Sequence, residues 1–127
     1  MFPPIKLVFP WPPTVNTYYR SVKGRTIMSK AGRMYRGVCQ RCCVWQKFTP
    51  VPPDSRVQVV LNLYAPNKRK YDIDNRAKAC LDALQHGGVL PDDEQVDRLI
   101  INRCEISKDD RVEIFITWLP PVAGTTS

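Results

Sequence analysis

Two aspartates separated by one residue are the feature of this sequence best suited to chemistry. Asp72 and Asp74 flank Ile73 at the point where a basic loop leads into a predicted helix. Carboxylates with this spacing converge on one cation where the backbone is strand-like, because alternate side chains then point the same way. Mg²⁺ accepts one or two carboxylates and completes its shell with water and substrate phosphate oxygens. The pair therefore indicates a metal site, unless Asp74 only caps the helix and Asp72 only faces solvent.

A second acidic pair, Asp92 and Asp93, follows after the predicted helix. The sequence does not show which end of that helix the pair approaches. Asp92 and Gln95 also fit a capping box for a short helical turn over residues 94–97. One acid of this pair is then free to bind metal while the other caps the turn.

A lysine and a run of basic residues accompany the first acidic pair. Lys78 lies four residues after Asp74, so both side chains share one face of the helix. It either forms a simple ion pair with Asp74 or stabilises negative charge that develops on a phosphate near the metal. Residues 68–70, Lys-Arg-Lys, precede the acids and would attract a phosphate backbone that the acids alone would repel.

The composition favours a polyanionic partner. The chain has 127 residues, 19 Lys and Arg against 12 Asp and Glu, and a net charge of +7. This length suits one domain. The charge favours DNA, RNA or an acidic membrane surface over a protein that is merely basic. The sequence carries no signal peptide and no apolar run long enough to cross a bilayer, so we expect a soluble, intracellular protein.

The five cysteines match no disulfide framework of secreted proteins. Cys39, Cys42 and Cys43 fall on a predicted helix at the spacing of packed residues, whereas a closed zinc site needs a fourth ligand. We therefore expect reduced, packed thiols and no structural zinc. A zinc-stabilised module built on these three cysteines is the alternative.

The hydrophobic pattern predicts one α/β (α+β) domain over residues 1–119, with a frayed tail over 120–127. Two helices pack on one mixed sheet in the order β-α-β-α-β-β. Strands are predicted over 5–9, 56–64, 99–106 and 112–119, and helices over 29–47 and 74–86. Residues 107–110 are expected to form a hairpin turn between the last two strands. Ser29 is the expected N-cap of the first helix, and Gly87 and Gly88 end the second.

The first of these helices has apolar residues at helical spacing, which we expect to face the core. They are Ala31, Met34, Tyr35, Val38, Cys42 and Trp45. The segment before this helix is expected to be a polar, aromatic and basic loop. It carries Asn16, Arg20, Lys23 and Arg25.

Several nuclease and nucleotide-binding schemes are excluded by direct inspection. No Asp or Glu is followed two residues later by Lys, so the acid-x-Lys element of restriction-type nucleases is missing. The chain also lacks a glycine-rich phosphate loop and a Gly-x-Ser-x-Gly elbow. An acidic cluster, a lysine and a basic surround remain, and this set suits metal-assisted hydrolysis of a phosphodiester.

The motifs together resemble the RusA family of Holliday-junction resolvases over roughly residues 9–119. The resemblance rests on Pro10-Trp11-Pro12-Pro13, Asn16, Tyr18-Tyr19-Arg20, Gly24-Arg25-Thr26, Asp72-Ile73-Asp74-Asn75, Lys78, Leu81-Asp82-Ala83-Leu84 and Asp92-Asp93-Glu94-Gln95-Val96. It implies a bacterial, cytoplasmic protein, encoded by the host or by a phage.

The resemblance also assigns roles to individual residues. It implies that Asp72, Asp74 and Asp93 are the catalytic acids and hold one or two Mg²⁺ ions, with Mn²⁺ able to substitute. Lys78 would be the catalytic lysine. Supporting roles fall to Asp92, Asn16 and Asn75. Phosphate contacts are expected from Arg20, Lys23, Arg25, Lys68, Arg69 and Lys70, and further ones from Arg33 and Arg36.

The predicted function is resolution of four-way DNA junctions by paired symmetric nicks, in DNA recombination and repair. A junction has approximate two-fold symmetry, so the resemblance implies a homodimer with two equivalent sites. The alternative is a non-catalytic junction-binding protein whose aspartates are structural.

Overall fold

The structure, a computed structural model, describes residues 2–121. Its elements are β1 (Ile5–Phe9), α1 (Val15–Tyr18), β2 (Tyr19–Val22), β3 (Arg25–Met28), α2 (Lys30–Trp45), β4 (Arg56–Tyr64), α3 (Asp74–His86), a 3₁₀ turn (Asp93–Gln95), β5 (Val96–Arg103) and β6 (Arg111–Leu119). The predicted mixed α+β order is confirmed, with α1, β2 and β3 inserted before the long helix. The expected frayed tail falls mostly on residues 122–127, outside the described residues.

The main sheet has the strand order β1-β6-β4-β5. β4 pairs in parallel with β5 and antiparallel with β6, which in turn pairs antiparallel with β1. The hairpin expected at residues 107–110 is therefore wrong, because β4 lies between β5 and β6. The physical reason is burial: β6 alternates buried residues and takes an interior position, whereas β5 is largely exposed and takes the edge. Among residues 2–121, no helix is long and apolar enough to cross a bilayer.

The core forms where one face of the sheet meets the helices. The four alternating residues predicted for β4 are fully buried, as are three of their four partners on β6; they are Val57, Val59, Leu61, Leu63, Val112, Ile114 and Ile116. Ala77, Cys80 and Leu84 of α3 pack against them. Burying a side chain of this size contributes about 1.5–3 kcal/mol, so this layer fixes the direction of α3 across the sheet.

The core-facing side of α2 differs from the predicted one. Its buried residues are Gly32, Tyr35, Cys39 and Cys43, of which only Tyr35 was expected. Met34 is 62% exposed and Trp45 is 85% exposed. The reason is that α2 lies very close to α3 and to the chain before α2, which small residues on the facing side permit. At the end of α3, for example, a Cβ on Gly87 would lie 2.7 Å from Cys43 Sγ.

The thiols of Cys39, Cys43 and Cys80 lie in this core, as expected for packed cysteines. Burial raises the pKa of Cys43 to about 11 and that of Cys80 to about 12. Burial therefore favours the neutral form of these two thiols.

The expected basic loop is instead a short helix followed by a hairpin. Thr14 caps α1, and β2 pairs with β3 across Lys23 and Gly24. Both turn residues have positive φ, 51° and 75°, as a type I′ turn requires. The strands are mostly exposed, so the hairpin protrudes from the domain.

The hairpin returns to the domain at the start of α2. Ser29 donates its backbone N–H to the Tyr18 carbonyl over 2.9 Å, and its hydroxyl accepts from the Gly32 N–H, also at 2.9 Å. Ser29 is therefore the N-cap, as predicted. A Cβ on Gly32 would lie 2.4 Å from the Tyr18 carbonyl oxygen. Only glycine allows α2 to begin this close to the end of α1.

A polar cluster joins the three helices. Arg36 of α2 donates two hydrogen bonds to Asp82 of α3, at 3.0 and 2.8 Å, and the Tyr18 hydroxyl of α1 donates to the same carboxylate. Burial alone would raise the pKa of Asp82, but these bonds and the charge of Arg36 outweigh it and lower that pKa. The guanidinium of Arg36, for which a phosphate contact was predicted, is therefore already paired with a carboxylate inside the domain.

Candidate active site

Asp72 and Asp74 lie at the N-terminal end of α3, beyond the C-terminal end of β4. Both are exposed, and within residues 2–121 neither carboxylate makes a hydrogen bond or an ion pair. The N-cap position belongs to Ile73, and no side chain caps the helix. The alternative that Asp74 is a capping residue is therefore wrong. The positive end of the helix dipole stabilises both carboxylates and leaves their oxygens available to a cation.

Lys78 lies one turn further along α3 and is also exposed. It forms no ion pair with Asp74 within 4.0 Å in the part of the chain that the structure describes. Asn75 donates its backbone N–H to the carbonyl of Asp72 over 3.2 Å, which closes the turn that leads into the helix. Asp72, Asp74 and Lys78 therefore all lie in the N-terminal part of α3 or directly before it.

The loop before the acids is held in place by aromatic and cationic side chains. Arg103 donates to the Tyr71 carbonyl over 2.9 Å and stacks 4.2 Å from the Tyr71 ring centroid. Arg76 donates to the carbonyl of Pro12, and its guanidinium lies 5.0 Å from the Trp11 ring centroid. Trp11 and Tyr71 meet edge to face at 5.1 Å. The backbone that presents Asp72 is thereby fixed on both sides.

Sequence reasoning did not assign a role to Arg76, Arg103 or Trp11 in this arrangement. The available signal was local: Tyr71 directly precedes the first acid, and Trp11 lies within a proline-rich segment. Burial lowers the pKa of Arg76. Within the described chain, no carboxylate lies within ion-pair distance of its guanidinium.

Six predicted phosphate-binding residues fall on two exposed segments. Lys68, Arg69 and Lys70 lie on the loop before Asp72, and Arg20, Lys23 and Arg25 lie on the β2–β3 hairpin. In the described part of the chain, none of their side chains forms an ion pair. Arg33, by contrast, donates to the carbonyl of Met28. Because α1 contacts α3, the base of the hairpin and the exposed Asn16 lie beside the helix that carries the acids.

The second acidic pair sits in a different environment. Asp92 and Gln95 form the predicted capping box, in which Asp92 accepts from the Glu94 N–H over 3.0 Å. The buried Gln95 amide also donates to the carbonyls of Pro52 and Ser55, at 2.9 and 2.8 Å. The turn is thus fastened to the start of β4. Asp93 is half-buried and has no partner among residues 2–121.

The two acidic pairs lie at opposite ends of the sheet in one chain. Val57 pairs with Val96 beside Asp93, whereas Leu63 pairs with Arg103 beside the loop that carries Asp72. Six residues of strand separate these positions, which is roughly 20 Å. No group of three metal-binding side chains assembles within the described residues. A single chain therefore brings Asp72 and Asp74 together but leaves Asp93 apart.

The carboxylates of Asp72 and Asp74 still fit a hard divalent cation. Magnesium binds through one or two carboxylates and retains positions for water and phosphate oxygens. Asp72 and Asp74 supply that number of ligands on an exposed surface. Both lie beside cationic residues that would hold the phosphate.

Comparison with known proteins agrees with this architecture. The family model described as endodeoxyribonuclease RusA matches residues 10–117. The crossover junction endodeoxyribonuclease RusA of Escherichia coli strain K12 is 33% identical over 111 residues, covering 87% of this chain and 92% of that protein. The protein of the same name from enterobacteria phage 82 is equally similar. That of E. coli O139:H28 is 32% identical over 113 residues, covering 89% and 93%.

A chain with a mixed sheet, an acidic helix N-terminus and a basic surround thus matches a family of phosphodiester-cleaving enzymes. The match covers most of the chain. The chain belongs to the RusA endodeoxyribonuclease family.

Proposed function

We propose that this chain is a Mg²⁺-dependent, structure-selective endonuclease that resolves four-way DNA junctions by paired symmetric nicks. Its role would be in DNA recombination and repair. The observation that carries the proposal is the pair of carboxylates of Asp72 and Asp74 at the start of α3, neither of which has a partner among residues 2–121. They lie next to three exposed basic residues, in a chain whose relatives are named crossover junction endodeoxyribonucleases.

The residues at the start of α3 and on the basic segments would have distinct roles. Asp72 and Asp74 would hold the ion, with Mn²⁺ able to replace Mg²⁺. When bound, the ion supplies an activated water and offsets charge on the scissile phosphate. Lys78 would stabilise the negative charge that develops on the phosphate oxygens. Residues 68–70 and the hairpin would contact flanking phosphates, which position the junction without reading its sequence.

A homodimer would complete the metal site as well as supply two cuts. Because roughly 20 Å of strand separates the Asp93 end of the sheet from the Asp72 end within one chain, Asp93 would join the acids from a second copy. A two-fold arrangement would pair the Asp93 end of one sheet with the Asp72 end of the other. Two identical sites would then form together, which suits a substrate with two-fold symmetry.

The outer edge of β5 is the surface that best supports this arrangement. β5 is an edge strand, and Leu99 and Ile100 in its middle are 40% and 36% exposed. Antiparallel pairing of β5 with its copy would place the start of one strand beside the end of the other. Asp93 precedes the start of β5, and Arg103 at its end contacts the loop that carries Asp72.

Cleavage of a synthetic four-way junction tests the proposal. The wild-type protein is incubated with a labelled junction in Mg²⁺, and separately in EDTA. We expect symmetric nicks that require the metal. Asp74→Asn should abolish cutting and leave junction binding intact or stronger, because a charge that repels phosphate is removed. Glu105→Gln is the matched control: it removes another exposed carboxylate and should cut like the wild type.

Two results would contradict the proposal. Tight junction binding without cutting in any divalent ion would favour a passive binding protein. Loss of both binding and cutting in Asp74→Asn, with Glu105→Gln unaffected, would make Asp74 a structural residue. Metal analysis of the purified protein separately tests the zinc alternative, which requires one tightly held zinc per chain.

A further inference from the structure

A cleft of about 170 Å³ opens beside the loop that presents Asp72. Its walls include Trp11, Asn67, Arg69, Lys70, Tyr71 and Arg76. Pockets for drug-sized ligands usually measure roughly 300–1,000 Å³, so this cleft suits a single planar ring. The phosphate-hydrolysis scheme above uses none of its aromatic residues.

The walls of the cleft combine two aromatic rings with cations and an amide. Trp11 and Tyr71 meet edge to face, and Arg76 lies 5.0 Å from the Trp11 centroid and 5.7 Å from the Tyr71 centroid. Aromatic rings and guanidinium planes are the surfaces on which unpaired bases stack. Arg69 and Lys70 are exposed at the same cleft. Their charge suits the phosphate to which such a base is attached.

Two buried polar atoms of this cluster lack hydrogen-bond partners among residues 2–121. They are the Tyr71 hydroxyl oxygen and the Arg76 Nε, both on residues that line the cleft. Asn67 adds a third polar group: its side-chain oxygen accepts from the Arg69 N–H over 2.9 Å, which leaves the amide N–H₂ to donate outward. Buried polar atoms usually have a partner. The exposed Asn67 amide is thus placed to bond to the polar edge of a ligand, whereas the Tyr71 hydroxyl and the Arg76 Nε are closed off from solvent.

We propose that this cleft binds one unstacked nucleobase of the DNA strand whose phosphate lies at Asp72 and Asp74, and so determines the sequence preference of cleavage. The proposal rests on the proposed nuclease function. Tyr71 immediately precedes Asp72, so a base held in the cleft fixes the register of the strand against the acids. The Asn67 amide N–H₂ is a donor, so the cleft favours a base edge that presents an acceptor to it. Unstacking a base costs least where pairing is already disturbed, as at a branch point.

The test uses a four-way junction with 2-aminopurine placed singly at successive positions around the incision point. Binding is followed by fluorescence in EDTA, so this measurement does not require cutting. We expect one position to change fluorescence on binding. Trp11→Ala should remove that change and weaken binding of a short single-stranded oligonucleotide by about tenfold, because base–aromatic stacking is lost. Trp45→Ala, which removes an indole 85% exposed on α2, is the matched control and should behave like the wild type.

A second measurement compares cutting rates of junctions that differ only in the base at that position. Wild-type rates should differ among the four bases, and Trp11→Ala should reduce the ratio to near one. Trp11 packs partly against the core, so Asn67→Ala, a change in an exposed loop, gives an independent test. It should reduce the rate ratio several-fold while leaving the 2-aminopurine signal in place, because the stacking surface remains.

Base selection by this cleft would be overturned if no position gave a signal with the wild-type protein. It would also be overturned if Trp11→Ala kept both the signal and the rate ratio, or if Asn67→Ala kept the full ratio. A wild-type protein that never cuts contradicts the proposed nuclease function instead. The fluorescence measurement in EDTA still decides whether the cleft holds a base in that case.

Discussion

Asp72 and Asp93 lie at opposite ends of the same β-α-β unit, with the length of α3 between them. The parallel pairing of β4 and β5 makes this unavoidable, because the crossover helix must run back along the sheet. The resemblance to the RusA family implied that both residues bind one metal. The separation of Asp72 and Asp93 within one chain is compatible with a common metal if each metal site uses acids from two copies of the chain.

The start of α2 depends on glycine at position 32, which has no side chain. Gly32→Ala should lower the free energy of unfolding by about 1–3 kcal/mol, because the new Cβ would collide with the Tyr18 carbonyl oxygen. Gly37→Ala is the matched control on the same helix, where the nearest atom lies 4.0 Å away. It should raise the free energy of unfolding by about 0.5–1 kcal/mol. Urea unfolding measures both; equal effects of the two changes would contradict the close approach.

The polar cluster of Asp82, Arg36 and Tyr18 should make stability depend on pH. The pKa of Asp82 is lowered in the folded protein, so its contribution is full above the unfolded value of about 3.9. The contribution is lost as the pH falls through that value towards the folded pKa. Asp82→Asn should lower the free energy of unfolding by about 2 kcal/mol at pH 7, and by less as the pH falls below about 4.

Urea unfolding of Asp82→Asn across this pH range checks the expectation. Asp54→Asn is the control, because Asp54 is exposed and makes no hydrogen bond among residues 2–121. It should match the wild type at every pH. A constant difference between Asp82→Asn and the wild type from pH 7 to pH 3 would contradict the assigned role of the carboxylate.

The β2–β3 hairpin should account for part of the salt dependence of DNA binding. Each phosphate neutralised on duplex DNA contributes about −0.9 to the slope of log K against log salt. Replacing Arg20, Lys23 and Arg25 by Ala should make that slope less steep by roughly 1–3. Replacing Lys6 and Lys47, which lie outside both basic segments, should leave it unchanged. Fluorescence anisotropy in EDTA at several salt concentrations measures both, and identical slopes would show that the hairpin does not contact DNA.

Strong local patterns were the predictable part of the fold. The alternation in β4 gave both its limits and its buried face, and Ser29 gave the start of α2. The β2–β3 hairpin was missed although Lys23 and Gly24 are a usable turn signal, because the flanking strands are exposed and lack alternation. The position of β5 was missed because pairing of strands distant in sequence leaves no local trace.

The candidate site was likewise predictable only where it depends on local sequence. The pair Asp72 and Asp74 could be found from spacing and basic context, and the capping box of Asp92 and Gln95 from its sequence signature. The separation of Asp93 could not be found, because it depends on the direction of β5 relative to β4. The roles of Arg76 and Arg103 also depend on contacts between distant segments, which no local spacing encodes.

Mixing two inactive variants tests the shared metal site most directly. Asp74→Asn and Asp93→Asn are each purified, shown to be folded, combined, and allowed to exchange subunits before incubation with a junction and Mg²⁺. Each variant alone should fail to cut. A mixed dimer joins the intact Asp93 of one chain to the intact Asp72 and Asp74 of the other, so random exchange should restore about one quarter of the sites. A mixture that forms mixed dimers but cuts no better than either variant would contradict a site shared between two chains.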